Sequence, residues 1–372
     1  MKVSATREHL LEALQSVIGV VERRQTMPIL SNVLLSARDS RLRITGTDLE
    51  VELVATAEVQ THQPGDLTLP GRKLFDIVRT LPDRTAVTMT REGDKVIVRG
   101  GRSRFTLSSL PASEFPVIED IGARYSLTLP ARACRRLIEK THFAMAQQDV
   151  RYYLNGTLLE TDGQTLRAVA TDGHRLSWCE LSLGDAGSAG VAALGELQQV
   201  ILPRKGVLEL QRLLDGEGNI EIELGSSHLR VKIGDVRLTS KLIDGRFPDY
   251  SRVIPLQPPR VMSAARDALR AALQRTAILS NEKYRGVRLV FAAGLLTIQA
   301  QNPEHEEAED QLEVEFVGET LEIGFNVGYL LDALAALETD TVEVCLAGPD
   351  SSCLIRAPGD ASTKYVVMPM RL

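Results

Sequence analysis

The chain has 372 residues, of which 44% are hydrophobic and 25% are charged, and its formal net charge is −6. This length exceeds what one ordinary hydrophobic core uses and predicts two or three domains of a folded, globular protein. The acidic balance argues against a protein that coats nucleic acid by bulk attraction, and the 4% aromatic content gives no evident platform for stacking single-stranded bases.

The sequence gives no sign of export, membrane insertion or metal binding. The opening residues, MKVSATREHL, contain no apolar run of signal-peptide length, and no stretch approaches the roughly 20 apolar residues that cross a bilayer. We therefore expect a cytoplasmic protein. The six histidines lack paired-ligand spacing and the four cysteines are scattered, so no disulfide framework, metal site or cofactor is expected. The cysteines are Cys134, Cys179, Cys345 and Cys353.

Three segments of the chain resemble one another in order and spacing, and internal similarity of this kind indicates repeated structural units. Each segment opens with an extended stretch and a helical pattern and continues into paired strands. The openings are VSATREHLLEALQSVIGVV from Val3, LTLPARACRRLIEKTHFAM from Leu127 and VMSAARDALRAALQRTAIL from Val261. The strands that follow include LRITGTDLEVEL, LRAVATDGHRLSW and LTIQAQNPEHEEAE.

The second half of each segment repeats as well. The three versions are LTLPGRKLFDIVRTLP, VILPRKGVLELQRLLD and LEIGFNVGYLLDALAALE. A copy of about 125 residues thus holds two strand–helix–strands halves, which makes six similar modules in the chain. Gly and Pro interrupt the pattern near 121–123 and 255–259. We expect three domains, at residues 1–122, 123–254 and 255–372, and a long loop at 184–195 inside the middle one.

Helical spacing predicts which faces of these helices are buried. The apolar face of the first helix carries Leu10, Leu14, Val17, Ile18 and Val21, and that of the third carries Cys134, Leu137, Ile138, Thr141 and Met145. Basic residues gather on other faces, as in Arg132, Arg135, Arg136 and Lys140, although the last helical pattern, 327–337, has none. Recurrent basic faces in an acidic chain favour contact with phosphates, which positions a protein on nucleic acid without reading its bases.

Longer runs of the sequence resemble the bacterial DNA polymerase III beta subunit family. They are QDVRYYLNG from Gln148, ATDGHRL from Ala170, SKLIDGRFPDY from Ser240, AILSNEKYRGVRL from Ala277, EIGFNVGYLLD from Glu322 and the C-terminal YVVMPMRL from Tyr365. The resemblance covers the whole chain. It implies an α+β fold of the DNA clamp type, in which three tandem similar domains each pack two helices on antiparallel sheets. It also implies that two protomers close head-to-tail into a ring around duplex DNA.

The resemblance implies a peptide-binding pocket between the second and third domains. Its residues would be Arg151, Leu154, Thr171, Gly173, His174, Arg175, Leu176, Pro248, Arg252, Val253, Asn326, Tyr329, Ser352, Val366, Met368, Pro369, Met370 and Arg371. The expected ligand is a short extended peptide with a Gln and later Leu or Phe anchors. Met side chains suit such a pocket because they repack around different partners.

The same resemblance implies a DNA-contacting set and a ring seam. The DNA set is Arg24, Arg72, Lys73, Gln148, Tyr152, Tyr153, Arg204 and Lys205, with Arg102 and Arg104 less securely. The seam would place Phe105 and Leu107 against Ile278 and Leu279 of the neighbouring chain. Around it, the acidic group Glu304, Glu306, Glu307 and Glu309 would face Lys73, Arg102 and Arg104. Tyr284 departs from the family, which often has Phe there.

The expected function is that of a processivity factor, a non-enzymatic sliding clamp. Its expected partners are duplex DNA, a second copy of the chain, the polymerase III catalytic subunit, the clamp loader, and other polymerases and repair proteins that carry short peptide motifs. Two alternatives remain open. Asp172 and His174 form a conceivable acid–base pair, but the equivalent turns contain Asp48 and Asn302 without a His, as a turn-forming position predicts. A peptide-binding scaffold that does not encircle DNA would leave the recurrent basic faces unexplained.

Overall fold

The computed structural model describes residues 1–22, 27–118, 120–184, 198–255 and 258–371. Within these ranges the chain is α+β, with α-helices and antiparallel sheets. The described residues divide into two compact units. The first holds residues 1–134, 184 and 205–242, and the second holds 135–183, 198–204 and 243–371.

The first unit contains a five-stranded and an eight-stranded sheet. Its strands are β1 (Lys2–Thr6), β2 (Asn32–Arg38), β3 (Arg41–Thr47), β4 (Val51–Glu58), β5 (Gln60–Gln63), β6 (Gly65–Pro70), β7 (Ala86–Glu92), β8 (Lys95–Gly100), β9 (Ser103–Ser108), β10 (Tyr125–Pro130), β15 (Asn219–Leu224), β16 (His228–Ile233) and β17 (Val236–Lys241). The strand orders are β5-β1-β7-β8-β9 and β10-β15-β16-β17-β4-β3-β2-β6. The second sheet is continuous because β17 pairs with β4.

The second unit contains a nine-stranded and a four-stranded sheet. Its strands are β11 (Gly156–Thr161), β12 (Thr165–Thr171), β13 (Arg175–Ser182), β14 (Gln198–Pro203), β18 (Arg260–Ala265), β19 (Gly286–Ala292), β20 (Leu295–Gln301), β21 (Glu307–Glu313), β22 (Glu315–Phe316), β23 (Leu321–Asn326), β24 (Thr341–Leu346), β25 (Cys353–Arg356) and β26 (Thr363–Val367). The orders are β14-β11-β12-β13-β26-β25-β24-β18-β22 and β21-β20-β19-β23. Here the join between copies is the pairing of β13 with β26.

The described ranges contain six α-helices, and each starts at the residue that follows a strand. They are α1 (Arg7–Val17), α2 (Gly71–Thr80), α3 (Ala131–Glu139), α4 (Arg204–Leu213), α5 (Arg266–Thr276) and α6 (Val327–Ala336). The strands that precede them are, in the same order, β1, β6, β10, β14, β18 and β23. The expected six strand–helix modules, two in each copy, are therefore confirmed. The predicted loop at 184–195 lies, apart from Gly184, outside the described residues.

The predicted apolar faces are buried. Every residue named for α1 and the turn after it, and every residue named for α3 and the segment after it, has less than a tenth of its surface exposed. Gly71 opens α2 where space is short, since a Cβ there would lie 3.0 Å from Val33 and 3.2 Å from Val21. Close packing of helix on sheet therefore selects glycine at this position.

The basic row predicted on α3 is only partly a solvent-facing row. Arg132 is exposed, but Lys140 is buried, and its Nζ donates to the Ala336 carbonyl at 2.6 Å and pairs with Glu338 at 2.5 Å. Arg136 donates to the Ser362 hydroxyl at 2.9 Å. Lys140 thus satisfies a terminal carbonyl of α6, where a cation is favoured by the helix dipole.

Asn326 shows why α6 begins where it does. Its Oδ1 accepts hydrogen bonds from the Gly328 and Tyr329 amides at 2.8 and 3.4 Å, and its Nδ2 donates to the Tyr284 carbonyl at 3.2 Å. Asn is among the residues preferred at a helix N-terminus because its side chain satisfies amides that have no partner within the helix. This predicted pocket residue is a helix cap.

We expect Asn326→Ala to loosen the first turn of α6 by about 1 kcal/mol, the usual cost of losing such a cap. A chain of several units need not unfold in one step, so local hydrogen exchange is the suitable measurement. The amides of residues 328–330 should exchange about fivefold faster. Asn326→Asp keeps the acceptor oxygen and should exchange as the wild type does. Equal rates in wild type and Asn326→Ala would contradict the capping role.

Candidate functional site

An apolar groove of about 200 Å³ lies within the second unit. It is lined by Arg151, Tyr153, Leu154, Thr171, Gly173, Arg175, Leu176, Pro248, Asp249, Tyr250, Val253, Val366 and Met368. Its floor is set by strand pairing, because Leu176 of β13 lies opposite Val366 of β26 and both side chains are buried. Met368 follows at the end of β26, 38% exposed, and its amide donates to the His174 carbonyl at 2.8 Å.

The turn between β12 and β13 shapes one side of the groove. The Thr171 hydroxyl donates to the Arg175 carbonyl at 2.6 Å, and Asp172 Oδ1 accepts from the His174 and Arg175 amides at 2.9 and 3.0 Å. Between them Gly173 has φ +89°, and a Cβ on it would lie 3.0 Å from the Arg151 guanidinium. Glycine is therefore required here both by its backbone conformation and by the approach of Arg151.

Arg151 forms the charged rim of the groove. Its Nε and Nη2 donate to the two carboxylate oxygens of Asp149 at 3.0 and 2.8 Å, and Nη2 also donates to the Asp172 carbonyl at 3.2 Å. These hydrogen bonds lower the pKa of Asp149 to about 2. The carboxylate therefore stays ionised at neutral pH and holds the guanidinium in place.

Arg175 separates this groove from a second, polar cavity of about 590 Å³. Its guanidinium donates to Asp172 at 3.1 Å, to Asp332 at 2.5 Å and to the Phe143 carbonyl at 2.6 Å, and it lies 4.6 Å above the Tyr329 ring. Every part of this side chain has a partner, so it is a fixed wall. The polar cavity is lined by Phe143, Met145, Ala146, Gln147, Gln148, Asp149, Asp172, His174, Arg175, Arg204 and Tyr329.

The structure brings most, but not all, of the predicted pocket residues to the groove. His174 and Tyr329 line the polar cavity instead. Six predicted residues line neither: Arg252, Asn326, Ser352, Pro369, Met370 and Arg371. Arg252 is 82% exposed and pairs with Asp249, and the Met370 amide donates to the Gly324 carbonyl at 2.8 Å. Tyr284 is 56% exposed and lines neither cavity.

Three lining residues were absent from the predicted pocket set. They are Tyr153, Asp249 and Tyr250. The signal for the last two was present, since both lie in the SKLIDGRFPDY run that carried the resemblance. The resemblance implies only a DNA contact for Tyr153, although this residue neighbours the pocket residue Leu154 in the short 3-10 turn Tyr152–Leu154.

The Asp172–His174 pair is a turn, as its equivalents predict. The Asp172 carboxylate accepts from two backbone amides and from Arg175 Nε. Asp48 accepts from the Glu50 and Val51 amides at 2.9 and 2.7 Å, and Asn302 accepts from the Glu306 amide at 2.9 Å. One side-chain oxygen thus closes the turn in all three copies, and the turn is one residue longer in the third copy.

In the first unit, the predicted DNA-contacting residues differ in how free they are. Lys73 is exposed, whereas Arg72 is half-buried and its Nε donates to the Val21 carbonyl at 2.9 Å. Lys205 pairs with Glu22 at 2.5 Å and also with Asp48. It is therefore not a free cation, and a phosphate would have to compete with two carboxylates. Arg24 lies outside the described residues.

In the second unit, the remaining predicted DNA-contacting residues cluster along the chain and in space. Gln148 is exposed with φ +55°, and Tyr152 is 56% exposed with its ring 5.9 Å from that of Tyr153. Gln148 and Arg204 both line the polar cavity. The Arg204 amide donates to the Asn155 carbonyl at 2.9 Å, which holds Arg204 beside the segment that carries the tyrosines.

The predicted seam residues lie on an edge strand and in a turn after a helix. Phe105 and Leu107 are half-buried in β9, which is the last strand of the five-stranded sheet. Ile278 is 78% exposed, and Leu279 is half-buried, in the 3-10 turn after α5. The acidic group Glu304, Glu306, Glu307 and Glu309 lies on and before β21, which is an edge of the four-stranded sheet.

Comparison with known families decides the identity of the chain. Models of the N-terminal, central and C-terminal domains of the DNA polymerase III beta subunit match residues 1–119, 128–249 and 251–371. The chain belongs to the DNA polymerase III beta subunit family. Members of this family are sliding clamps, non-enzymatic processivity factors of DNA replication that bind DNA and polymerase and close as dimeric rings.

Individual relatives resemble the chain over its full length. The beta sliding clamp of Pseudomonas putida strain KT2440 is 52% identical and that of Escherichia coli strain K12 is 50% identical, each aligned over 100% of both chains. The crystal structure of the DNA polymerase III subunit beta from Pseudomonas aeruginosa matches with a TM-score of 0.95 at 51% identity and covers 100% of both chains.

In the described ranges, no helix is long and apolar enough to cross a membrane.

Proposed function

We propose that this chain acts in the cytoplasm as a sliding clamp whose apolar groove captures short peptide motifs of polymerases, the clamp loader and repair proteins. The observation that carries this is the groove itself, an apolar cavity with a fixed charged rim in a family of replication clamps. We further propose three domains, at residues 1–122, 123–254 and 255–372. A scaffold that binds peptides without enclosing DNA remains the competing reading.

The groove suits an extended peptide with apolar anchors. Leu154, Leu176 and Val366 are buried at its floor, so an anchor side chain that enters leaves water for an apolar surface. Thr171 and Arg175, at the two ends of the turn, and the Arg151 guanidinium supply polar groups at the rim. Met368, partly exposed at the edge, is free to repack around ligands of different shape.

We expect Met368→Ala to weaken peptide binding by about tenfold, because truncating an anchor-contacting side chain at a groove costs about 1.4 kcal/mol or more. Fluorescence polarisation with a short labelled peptide that contains a Gln followed by Leu and Phe measures the effect. Met27→Ala, at a 45% exposed methionine of the first unit, is the matched control. Unchanged affinity for Met368→Ala would place the peptide elsewhere.

Enclosure, rather than affinity, is proposed to hold the chain on DNA. The exposed Lys73, the half-buried Arg72 and the paired Lys205 offer only weak, sequence-blind phosphate contacts. A ring held by topology needs no more than this. A scaffold that did not encircle DNA would gain nothing from these contacts.

The test compares closed circular and linearised plasmid after loading by the cognate clamp loader and a high-salt wash. We expect retention on circles and loss from linear ends. Salt screens phosphate contacts strongly, so equal loss from both plasmids, with loading confirmed, would contradict enclosure. Arg72→Glu together with Lys73→Glu should reduce loading while peptide binding stays unchanged, and no reduction would favour the scaffold.

The ring seam is proposed to repeat the strand pairing that joins the copies within the chain. In that pairing, the last strand of one copy lies beside the strand after the Asx turn of the preceding copy, as β17 beside β4 and β26 beside β13. The last strand of the first copy, β9, and the corresponding strand of the third, β21, are left as edges. Because unpaired edges seek partners, we propose that β9 of one protomer pairs with β21 of the other.

We propose that the seam has the same register as the internal joins. Val51, Arg175 and Glu306 are equivalent, since each amide donates to the Asx side chain of its turn. Ser240 lies opposite Val51 and is four residues past the first residue of β17. Leu107 is four residues past the first residue of β9, so Leu107 and Ser240 are equivalent positions. In the proposed register, Phe105 would lie opposite Ala308 and Arg104 opposite Glu309. Opposite charges thus meet at Arg104 and Glu309.

We expect Arg104→Cys combined with Glu309→Cys to cross-link two protomers on mild oxidation, since side chains directly opposite across a strand pair are about 5 Å apart. The native cysteines all are buried and should not interfere. Arg104→Cys with Glu313→Cys, about 13 Å out of register, is the control. A covalent dimer from the control pair and not from the first pair would refute this register.

A further inference from the structure

One wall of the groove is a short turn with its own internal bracing. Residues 248–253 include the 3-10 turn Tyr250–Val253 and contribute Pro248, Tyr250 and Val253 to the lining. The Asp249 carboxylate accepts from the Ser251 hydroxyl at 2.6 Å and from Arg252 Nε at 2.8 Å. The turn therefore moves as one piece, and its attachment to the rest of the unit decides where the wall stands.

The first attachment is the Tyr250 hydroxyl. It donates to Glu160 Oε1 at 3.0 Å, and Glu160 is only 5% exposed. The same carboxylate accepts from Arg167 Nη1 at 2.9 Å and from Gln199 Nε2 at 2.5 Å, so it is held by the strands on both sides of its own and cannot swing away. Burial, together with the nearby carboxylate, raises the pKa of Tyr250 to about 12. The phenol therefore keeps its proton and remains the donor.

The second attachment lies at the other end of the turn. The Ser352 hydroxyl donates to the Val253 carbonyl at 3.2 Å, and Ser352 does not line the groove. Tyr250 presents its ring to the groove while its hydroxyl points to Glu160. The two hydroxyls thus fasten the first and last residues of the same turn, and neither hydroxyl is needed to contact a ligand.

We propose that Tyr250 and Ser352 are positioning residues that hold the Pro248–Val253 wall in its peptide-binding position. This inference rests on the proposed peptide-binding function of the groove. If one attachment is released, the wall is out of its peptide-binding position in some of the molecules. The apparent affinity for the peptide then falls in proportion to the fraction of molecules whose wall is still in position. Preorganisation of this kind strengthens binding without adding a contact.

The experiment measures binding of the labelled Gln, Leu and Phe peptide to full-length wild type, Tyr250→Phe, Ser352→Ala and the double variant. Each single change should weaken binding about threefold to tenfold, the range expected for one hydrogen bond. Because both bonds hold one turn in the same position, losing the second shifts the same equilibrium further, and the loss in the double variant should be at least the product of the single losses. Stopped-flow kinetics should assign the loss mainly to association, as expected when the competent fraction falls.

Ser352→Thr keeps the hydroxyl and should bind as the wild type does, and Tyr125→Phe, in β10 of the first unit, controls for removing a tyrosine hydroxyl. Once loaded, every variant should be retained on circular plasmid as the wild type is, because enclosure and not the groove holds loaded protein. Single variants that bind with wild-type affinity, a double-variant loss well below the product of the single losses, or a loss confined to dissociation would overturn the positioning role alone. A wild type that does not bind the peptide would overturn the proposed function and this inference with it.

Discussion

The pairing of each copy's last strand with the preceding copy is the constraint on which the rest of the structure depends. Backbone amides and carbonyls inside a protein must find partners, and β17 finds them on β4 as β26 finds them on β13. Each compact unit thereby gains one long sheet built from two copies. A chain of three copies has two such joins and necessarily leaves one donor strand and one acceptor strand over, which is the condition for a head-to-tail contact with a second chain.

The same pairing creates the groove. Joining β13 to β26 sets Leu176 against Val366, residues from the second and third copies that are far apart in the sequence. The turn before β13, closed by Asp172, then forces Gly173 into a conformation that admits the Arg151 side chain. The binding surface is therefore a by-product of how the copies are joined, with the polar rim added by one turn.

Local patterns predicted what local physics determines. Helical spacing identified the buried faces of α1 and α3, and comparison of Asp48, Asp172 and Asn302 identified a turn where an acid–base pair was conceivable. The groove residues came from resemblance alone, since no periodicity links residues 151 and 366. The Tyr250–Glu160 bond joins residues 90 apart through side-chain tips. Such a contact depends on the packed sheet and leaves no mark in either local sequence.

Charge shows the limit of local patterns most clearly. Lys140 and Lys205 sit at helical positions typical of a solvent-facing basic row, yet the first is buried against α6 and the second is paired with Glu22 and Asp48. Their charges are committed, through the Ala336 carbonyl, Glu338, Glu22 and Asp48, to partners that are all more than 150 residues away in the sequence. Strong free cations would bind phosphates tightly and resist movement along DNA, because each neutralised phosphate adds affinity. A clamp that encloses its DNA needs only weak contacts of similar strength at every position, and we propose that basic residues already paired with carboxylates supply them.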